Sequence, residues 1–591
     1  MQTTTLLLSA LCLTATACTS VVHLQHAPAQ ADARHSGPHP RELFLAGGAL
    51  RVCSSLSLRD CRDPAPVAGA DARGPSRHAL DRAGLAAADD PRLWQRQGAQ
   101  RAPMRQVLAQ LQQQLGSAPL EAKVLVAALE RECIDNAGRA QACAGDQRAP
   151  WSRLDDDGQG AVLAALELPQ RAADGSRLRE RASLAASLTP HGAEILRAFV
   201  AAAQVRAGAA RPRIAVVTAS AFDPFDPVDF YLDALRQAGA DAQWWPLDGA
   251  LAAAVFDGRG CAALPELRHE RLRLPARERV YPDLAAHQAL ACADPDRLAS
   301  VPERVHGVFF SGGDQWKLRK AFFDDRERPN AWLQALRAAV ARGGVVVGGT
   351  SAGSAVQSGG PMLSNGTSTS ALRYGAVAAA PPSAGCTRAG DCPRGLDEDA
   401  FTYWPAGGLG LAPDIVIDTH FSERARELRL LRLLTDTGAR WGIGADETSA
   451  LHLIWQADGR VQARGLGASG GWVFDAGAAC IGDALQASAY YLTPGAVLRF
   501  GPGGAAVLST DSSGLPSPLP AAFPQDALER GALRAAAQAL AGGQAKAQLR
   551  ADAARVELMR SGETRQWTGT NGLAGVSALQ LTATPWGRCR R

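Results

Sequence analysis

The sequence predicts an α/β fold, a largely parallel sheet with helices on both faces. Residues 214–217, 308–310, 345–347 and 415–417 are short, unbroken runs of mainly β-branched or aromatic side chains. Uninterrupted apolarity of that length suits strands buried on both faces. Residues 228–238, 331–342 and 422–435 carry helical periodicity and the length of crossover connections. The residues with evident chemistry fall directly after the apolar runs, where the carboxyl ends of such strands gather active sites.

Taken in chain order, residues 6–17 form an apolar core too short to span a membrane as a stable helix. Small residues lead from it into Cys18, as in bacterial lipoprotein signals, although no Lys or Arg precedes the core and Ala15 stands where leucine is usual. The expectation is an export signal over 1–18, of lipoprotein or ordinary secretory type, with the lipid status of Cys18 left open. That places the protein in the periplasm, on the outer membrane or outside the cell. Residues 19–40, rich in His, Pro, Ala and Gly, read as a tether, and Leu43-Phe44-Leu45-Ala46-Gly47-Gly48 as a buried strand ending in a glycine turn. Helical stretches at 104–115, 120–133 and 193–207 follow, then the α/β alternation. Residues 485–510 read as β-structure and 525–560 as helix.

The chain has 591 residues, 46% hydrophobic and 20% charged, which is ordinary for a soluble globular protein. A net charge of +4 gives no reason to expect nucleic acid. Besides Cys12 and Cys18, ten cysteines remain; Cys53 with Cys61, Cys133 with Cys143, and Cys386 with Cys392 are local couples. Short spacing and an even count in an exported chain read as disulfides. The remaining four are expected to pair as Cys261 with Cys292 and Cys480 with Cys589. With no Cys-x-x-Cys pair or His cluster, no metal or cofactor is expected. Asp155-Asp156-Asp157-Gly158 lacks a closing glutamate at calcium-loop spacing and reads as a solvated turn.

Val345-Val346-Val347 runs into Gly348-Gly349-Thr350-Ser351-Ala352-Gly353. This fits strand, tight turn and helix around a G-x-S-x-G centre, with glycines allowing the strained turn and a helix N-terminus facing a developing oxyanion. A phosphate-binding loop or a plain turn would fit the pentapeptide alone equally well. A serine nucleophile needs a base, and His420 follows the 415–417 run, whereas His306 and His452 read as structural. Asp446 and Glu447 offer the carboxylate that orients such a base. The order Ser351, His420, acid is not that of α/β-hydrolases, which argues against an esterase or lipase.

Four blocks in order then resemble the cyanophycinase and aspartyl-dipeptidase family of serine peptidases. They are Phe309-Phe310-Ser311-Gly312-Gly313-Asp314-Gln315; Gly349-Thr350-Ser351-Ala352-Gly353; Asp418-Thr419-His420-Phe421-Ser422-Glu423-Arg424-Ala425-Arg426-Glu427-Leu428-Arg429; and Gly442-Ile443-Gly444-Ala445-Asp446-Glu447. The resemblance implies a parallel-sheet sandwich like the class I glutamine amidotransferase fold over 41–50 and 211–480. Residues 51–210 become a mostly helical insertion and 481–591 a C-terminal extension of mixed β and helix. It implies Ser351 as nucleophile, His420 as base and Glu447 as acid, with Gly313 and Ala352 as oxyanion donors. The dipeptidase branch places its acid, an aspartate, between serine and histidine instead. Gln315, Asp418, Arg424, Arg426 and Arg429 match substrate-binding positions, and Ser354, where alanine is usual, is expected to be silent.

The implied function is hydrolysis of cyanophycin to β-Asp-Arg dipeptides through an acyl-enzyme. Arginines near the site suit the free carboxylates of that polymer, and a buried acid such as Asp418 its guanidinium arms. The bland alternative is that residues 423–429 are one solvated helix face. Other readings are an aspartyl or isoaspartyl dipeptidase, or a non-catalytic envelope lipoprotein. The expected partner is an aspartate-rich polymer or peptide, with no nucleic acid, and with a homodimer left open.

Overall fold

The computed structural model describes residues 39–585 apart from 478–479, 482–483, 511–523 and 552–553. The export signal, Cys18, nearly all of the tether and Cys589 lie outside the described residues. Among the described residues, one mixed sheet has nine strands. Five run parallel: β1 (Glu42–Ala46), β2 (Arg213–Val217), β3 (Asp241–Trp244), β4 (Gly307–Phe310) and β5 (Val346–Thr350), in the order β1-β5-β4-β2-β3. A second sheet opens with the parallel pair β6 (Ile415–Thr419) and β7 (Trp441–Ala445). The chain then returns to the first sheet, where β8 (Ser449–Trp455) and β9 (Val461–Gly467) continue it antiparallel beyond β1.

The fold is therefore α/β as expected, but its sheet is mixed rather than purely parallel. The 415–417 run, expected in the same sheet as the others, lies in the second one.

Alternation along the strands assigns the two faces of the first sheet. Phe44, Val216, Phe309 and Val346 point to one face, covered by α1 (His191–Ala207) and α2 (Val228–Gln237); Phe199 of α1 meets both Phe44 and Phe309 edge-on. Leu43, Leu45, Val217, Val308 and Val347 point to the other. There they meet α3 (Gly249–Phe256), α4 (Ala331–Ala341) and the inner side of the second sheet through Ile415, Ile417 and Ile443. The outer side of that second sheet packs on α6 (Glu427–Thr437) and α7 (Ala532–Ala541), with the short α5 (Ala352–Ala355) between sheets.

Residues 51–210 hold an apolar cluster of their own, including Leu93, Met104, Leu125, Trp151 and Leu166, but their last helix, α1, packs on the first sheet. Asp155 is not a solvated turn. It is buried, caps the helix Asp156–Leu166 by accepting the Gly158 N–H at 2.8 Å, and pairs with Arg273. Past residue 484 the chain adds strands to both sheets. The stretch expected as helix over 525–560 holds only α7, followed by strands Lys546–Ala551 and Ala554–Arg560. Disulfides join Cys53–Cys61, Cys133–Cys143, Cys261–Cys292 and Cys386–Cys392. No described helix is long and apolar enough to cross a membrane.

Candidate active site

Strand β1 ends at Ala46-Gly47-Gly48, and three consecutive carbonyl oxygens there organise the site. The Ser351 N–H donates to Ala46 (2.9 Å), the His420 N–H to Gly47 (2.8 Å) and the Thr448 N–H to Gly48 (2.9 Å). Residues leaving β5, β6 and β7, from two sheets, are thus pinned to one turn. Gly48 has φ +115, and a Cβ there would collide with the His420 ring. Glycine is required on both counts. Ser354, expected to be silent, places its hydroxyl 2.8 Å from the Ala46 carbonyl and stiffens the same turn.

Ser351 sits between β5 and α5 at φ 53, ψ −120. That conformation is strained for a residue with a side chain and costs about 1–3 kcal/mol. It is tolerated because Gly349 lets the turn close; a Cβ there would run into the backbone of Gly353. The turn aims Oγ at His420 Nε2, 2.8 Å away, and His420 Nδ1 lies 2.7 Å from Glu447 Oε1. The Glu447 contact assigns the imidazole proton to Nδ1, leaving Nε2 as acceptor for the serine proton. Burial holds the His420 pKa below the usual imidazole value; Glu447 opposes this, and Arg424 and Arg426 add to it. The ring is therefore neutral, and basic, at neutral pH.

Asp446 and Glu447 are neighbours whose side chains diverge. Asp446 is fully buried and takes the Tyr491 hydroxyl (3.0 Å), the Ser422 N–H (2.9 Å) and Arg534 Nη1 (2.9 Å). The same Arg534 Nη1 lies 2.6 Å from Glu423 Oε1, and Glu423 Oε2 accepts the Glu447 N–H at 2.9 Å. Arg534, from α7, thereby braces the residue that orients the histidine. Neither Glu423 nor Arg534 stood out in the sequence as part of such a brace, because the two lie 111 positions apart.

The loop Ser311-Gly312-Gly313-Asp314 follows β4 beside Ser351. The Gly312 N–H donates to the Tyr231 hydroxyl at 3.4 Å, and the Asp314 N–H to the Ser220 carbonyl at 2.7 Å. The amides of Gly313 and Ala352 have no hydrogen-bond partner among the described residues. Both belong to segments flanking Ser351, so two donors remain for an oxygen held near Oγ.

The expected substrate ligands divide in two. Arg424 is exposed, and its side chain makes no ion pair among the described residues. Arg426 Nη1 donates to Thr419 O at 2.8 Å, and burial and Arg429 push its pKa down to about 9. Gln315 gives its amide nitrogen to Leu363 O at 2.9 Å, leaving Oε1 without a partner among the described residues. Asp418 and Arg429, however, are buried and hold each other by two hydrogen bonds of 2.7 and 2.8 Å. The guanidinium groups that Asp418 meets are the chain's own, Arg429 and, at 3.6 Å, Arg426, so its carboxylate is already paired within the chain.

A cavity of about 370 Å³ is lined by Ser351, His420 and Gly313 together with Ser54, Asp60 and Glu180 of residues 51–210.

No family model matches the chain. Curated relatives do. The chain is 31% identical to the cyanophycinase of Synechococcus elongatus over 177 residues, which is 30% of this chain and 44% of that protein. It is 27% identical to the cyanophycinase of Trichormus variabilis over 278 residues, 47% of this chain and 67% of the relative. Over part of its length the chain is cyanophycinase-like. The likeness is distant, and the chain spans less than half the length of the Synechococcus relative.

Proposed function

We propose that the chain is a serine peptidase that hydrolyses cyanophycin, a poly-aspartate carrying arginine arms, to β-Asp-Arg dipeptides. The observation that carries the reading is the continuous line Ser351 Oγ, His420 Nε2, His420 Nδ1, Glu447 Oε1, at 2.8 and 2.7 Å. In this reading Oγ attacks the scissile carbonyl as His420 Nε2 takes its proton. The Gly313 and Ala352 amides hold the oxygen that becomes negative. His420 passes the proton to the departing amine, which leaves an acyl-serine. Water, deprotonated by the same nitrogen, then releases the acid and regenerates Ser351. Glu447 keeps the imidazole in one tautomer and offsets its charge when protonated. In this reading the carboxylates of the polymer fall to Arg424, Arg426 and Gln315.

The relatives named cyanophycinase support the choice of polymer. A dipeptidase acting on small aspartyl peptides is the second reading, favoured by the modest cavity of about 370 Å³. Purified protein and Ser351→Ala are incubated with cyanophycin granules, α-Asp dipeptides and β-Asp dipeptides. Granule clearing by the unmutated protein alone is expected, and turnover of α-Asp dipeptides without clearing overturns the reading. Export rests on residues 6–17 and Cys18, and is tested by cell fractionation with a Cys18→Ala control.

A further inference from the structure

We infer that Glu180, carried into the Ser351 cavity by residues 51–210, anchors a cationic group of the substrate, of guanidinium or ammonium type. The inference rests on the reading of Ser351 as nucleophile, and it gives those residues a role in selecting the substrate.

Glu180 is 7% exposed and lines the cavity that holds Ser351 and His420. It has no ion-pair partner among the described residues. The cations around it are committed elsewhere: Arg73 lies 2.6 Å from Asp226 and 3.6 Å from Glu167, and Arg51 faces Asp60 at 3.8 Å. Asp60, the other carboxylate lining the cavity, is held by that arginine and by the Ser57 hydroxyl at 2.6 Å. The groups facing Glu180 are Ser54, which hydrogen-bonds it, the acids Asp226 and Asp229, Arg73, and Tyr231. Tyr231 in turn accepts the Gly312 N–H, so Glu180 sits one side chain away from the loop that flanks the nucleophile.

A buried carboxylate without a cation is costly, and a ligand that brings one removes the cost. Burial pushes the Glu180 carboxyl up to about 7, against the Ser54 hydrogen bond, so an arriving cation meets a group that ionises readily near neutral pH. On the His420 side of the site Arg424 and Arg426 are the nearby cations, with Glu447 as the acid. A substrate unit carrying both a carboxylate and a cationic arm satisfies both sides. A neutral isostere of the arm leaves Glu180 unpaired.

The test uses the full chain, Glu180→Gln and agmatine as the guanidinium probe, by calorimetric titration. One agmatine site is expected, weakened at least tenfold by Glu180→Gln. The unmutated protein should bind more weakly as pH falls below about 7, a dependence that Glu180→Gln loses. A thermal melt of Glu180→Gln no lower than that of the unmutated protein excludes misfolding as the cause. Absence of agmatine binding at millimolar concentrations, or equal binding by both proteins, overturns the inference. In a kinetic arm, kcat/KM is compared for cyanophycin and for a polymer with citrulline in place of arginine. Glu180→Gln should depress the arginine polymer at least tenfold and spare the citrulline one; equal losses on both overturn it. Glu180-dependent agmatine binding without cleavage of either polymer would sink the cyanophycinase reading and leave this one standing.

Discussion

At the scale of single residues, the site depends on how three side chains are aimed. Ser351 and His420 both occupy left-handed backbone conformations, φ 53 and φ 49, and each is held there by a hydrogen bond to the β1 turn. Strain of this kind persists only where surrounding structure over-determines it. Glu447 controls the tautomer of His420, so Glu447→Gln should lower kcat on the order of 10³–10⁴-fold with the fold intact, as measured by hydrolysis rate and circular dichroism. The depressed His420 pKa keeps the base unprotonated into mildly acidic solution, so the acid limb of the rate profile should lie below the usual imidazole range. Arg426→Met removes one of the cations that depress it and should move that limb to higher pH. A limb that stays in place would show that Arg426 does not act on His420.

At the scale of elements, α6 carries an acid that its burial does not suit. Glu427 stands in the first turn, is 1% exposed, and has one oxygen without a partner among the described residues. Burial pushes its carboxyl up to about 8, from 4.5. A raised carboxyl pKa means the folded chain keeps a proton that the unfolded chain loses. Its contribution to stability is whole below about 4.5 and lost as pH climbs towards 8. Glu427→Gln should therefore raise the thermal midpoint at pH 8 by roughly 1–3 °C and leave it nearly unchanged at pH 4, by scanning calorimetry. The misread stretch 525–560 belongs to this scale too. Lys546–Ala551 alternates exposed and buried, the period of a strand, but its Ala, Leu, Lys and Gln residues are good helix formers. Pairing with Ala554–Arg560 overrides that propensity.

At the scale of the whole molecule, segments distant in sequence converge on one turn. The helix α7 reaches Glu447 through Arg534 and Glu423, and residues 51–210 line the cavity that holds Ser351. Arg534→Met leaves buried Asp446 without its cation and Glu423 without its anchor. The cost should be about 3–5 kcal/mol, read as a lower thermal midpoint. If Arg534 also positions Glu447, kcat falls at temperatures where the variant is fully folded, KM changes little, and Arg534→Lys restores part of the rate. A loss of stability with kcat intact would reduce Arg534 to a structural role.

The sequence by itself determined what local pattern can encode. The apolar runs at 214–217, 308–310 and 345–347 marked parallel strands, the glycines around Ser351 marked a tight turn, and the local cysteine couples marked disulfides. Ser351, His420 and Glu447 were legible because each follows a short strand and belongs to a motif of adjacent residues. The residues alone left Asp446 and Glu447 open and the family resemblance pointed to Glu447, but which way each side chain leaves the end of β7 is decided only by the fold. The same holds for the pairing of Asp418 with Arg429, for the hold of α7 on the acid, and for the arrival of Glu180 beside Ser351. These are contacts between residues from 11 to more than 100 positions apart, set by the packing of two sheets and of residues 51–210, and no local periodicity records them.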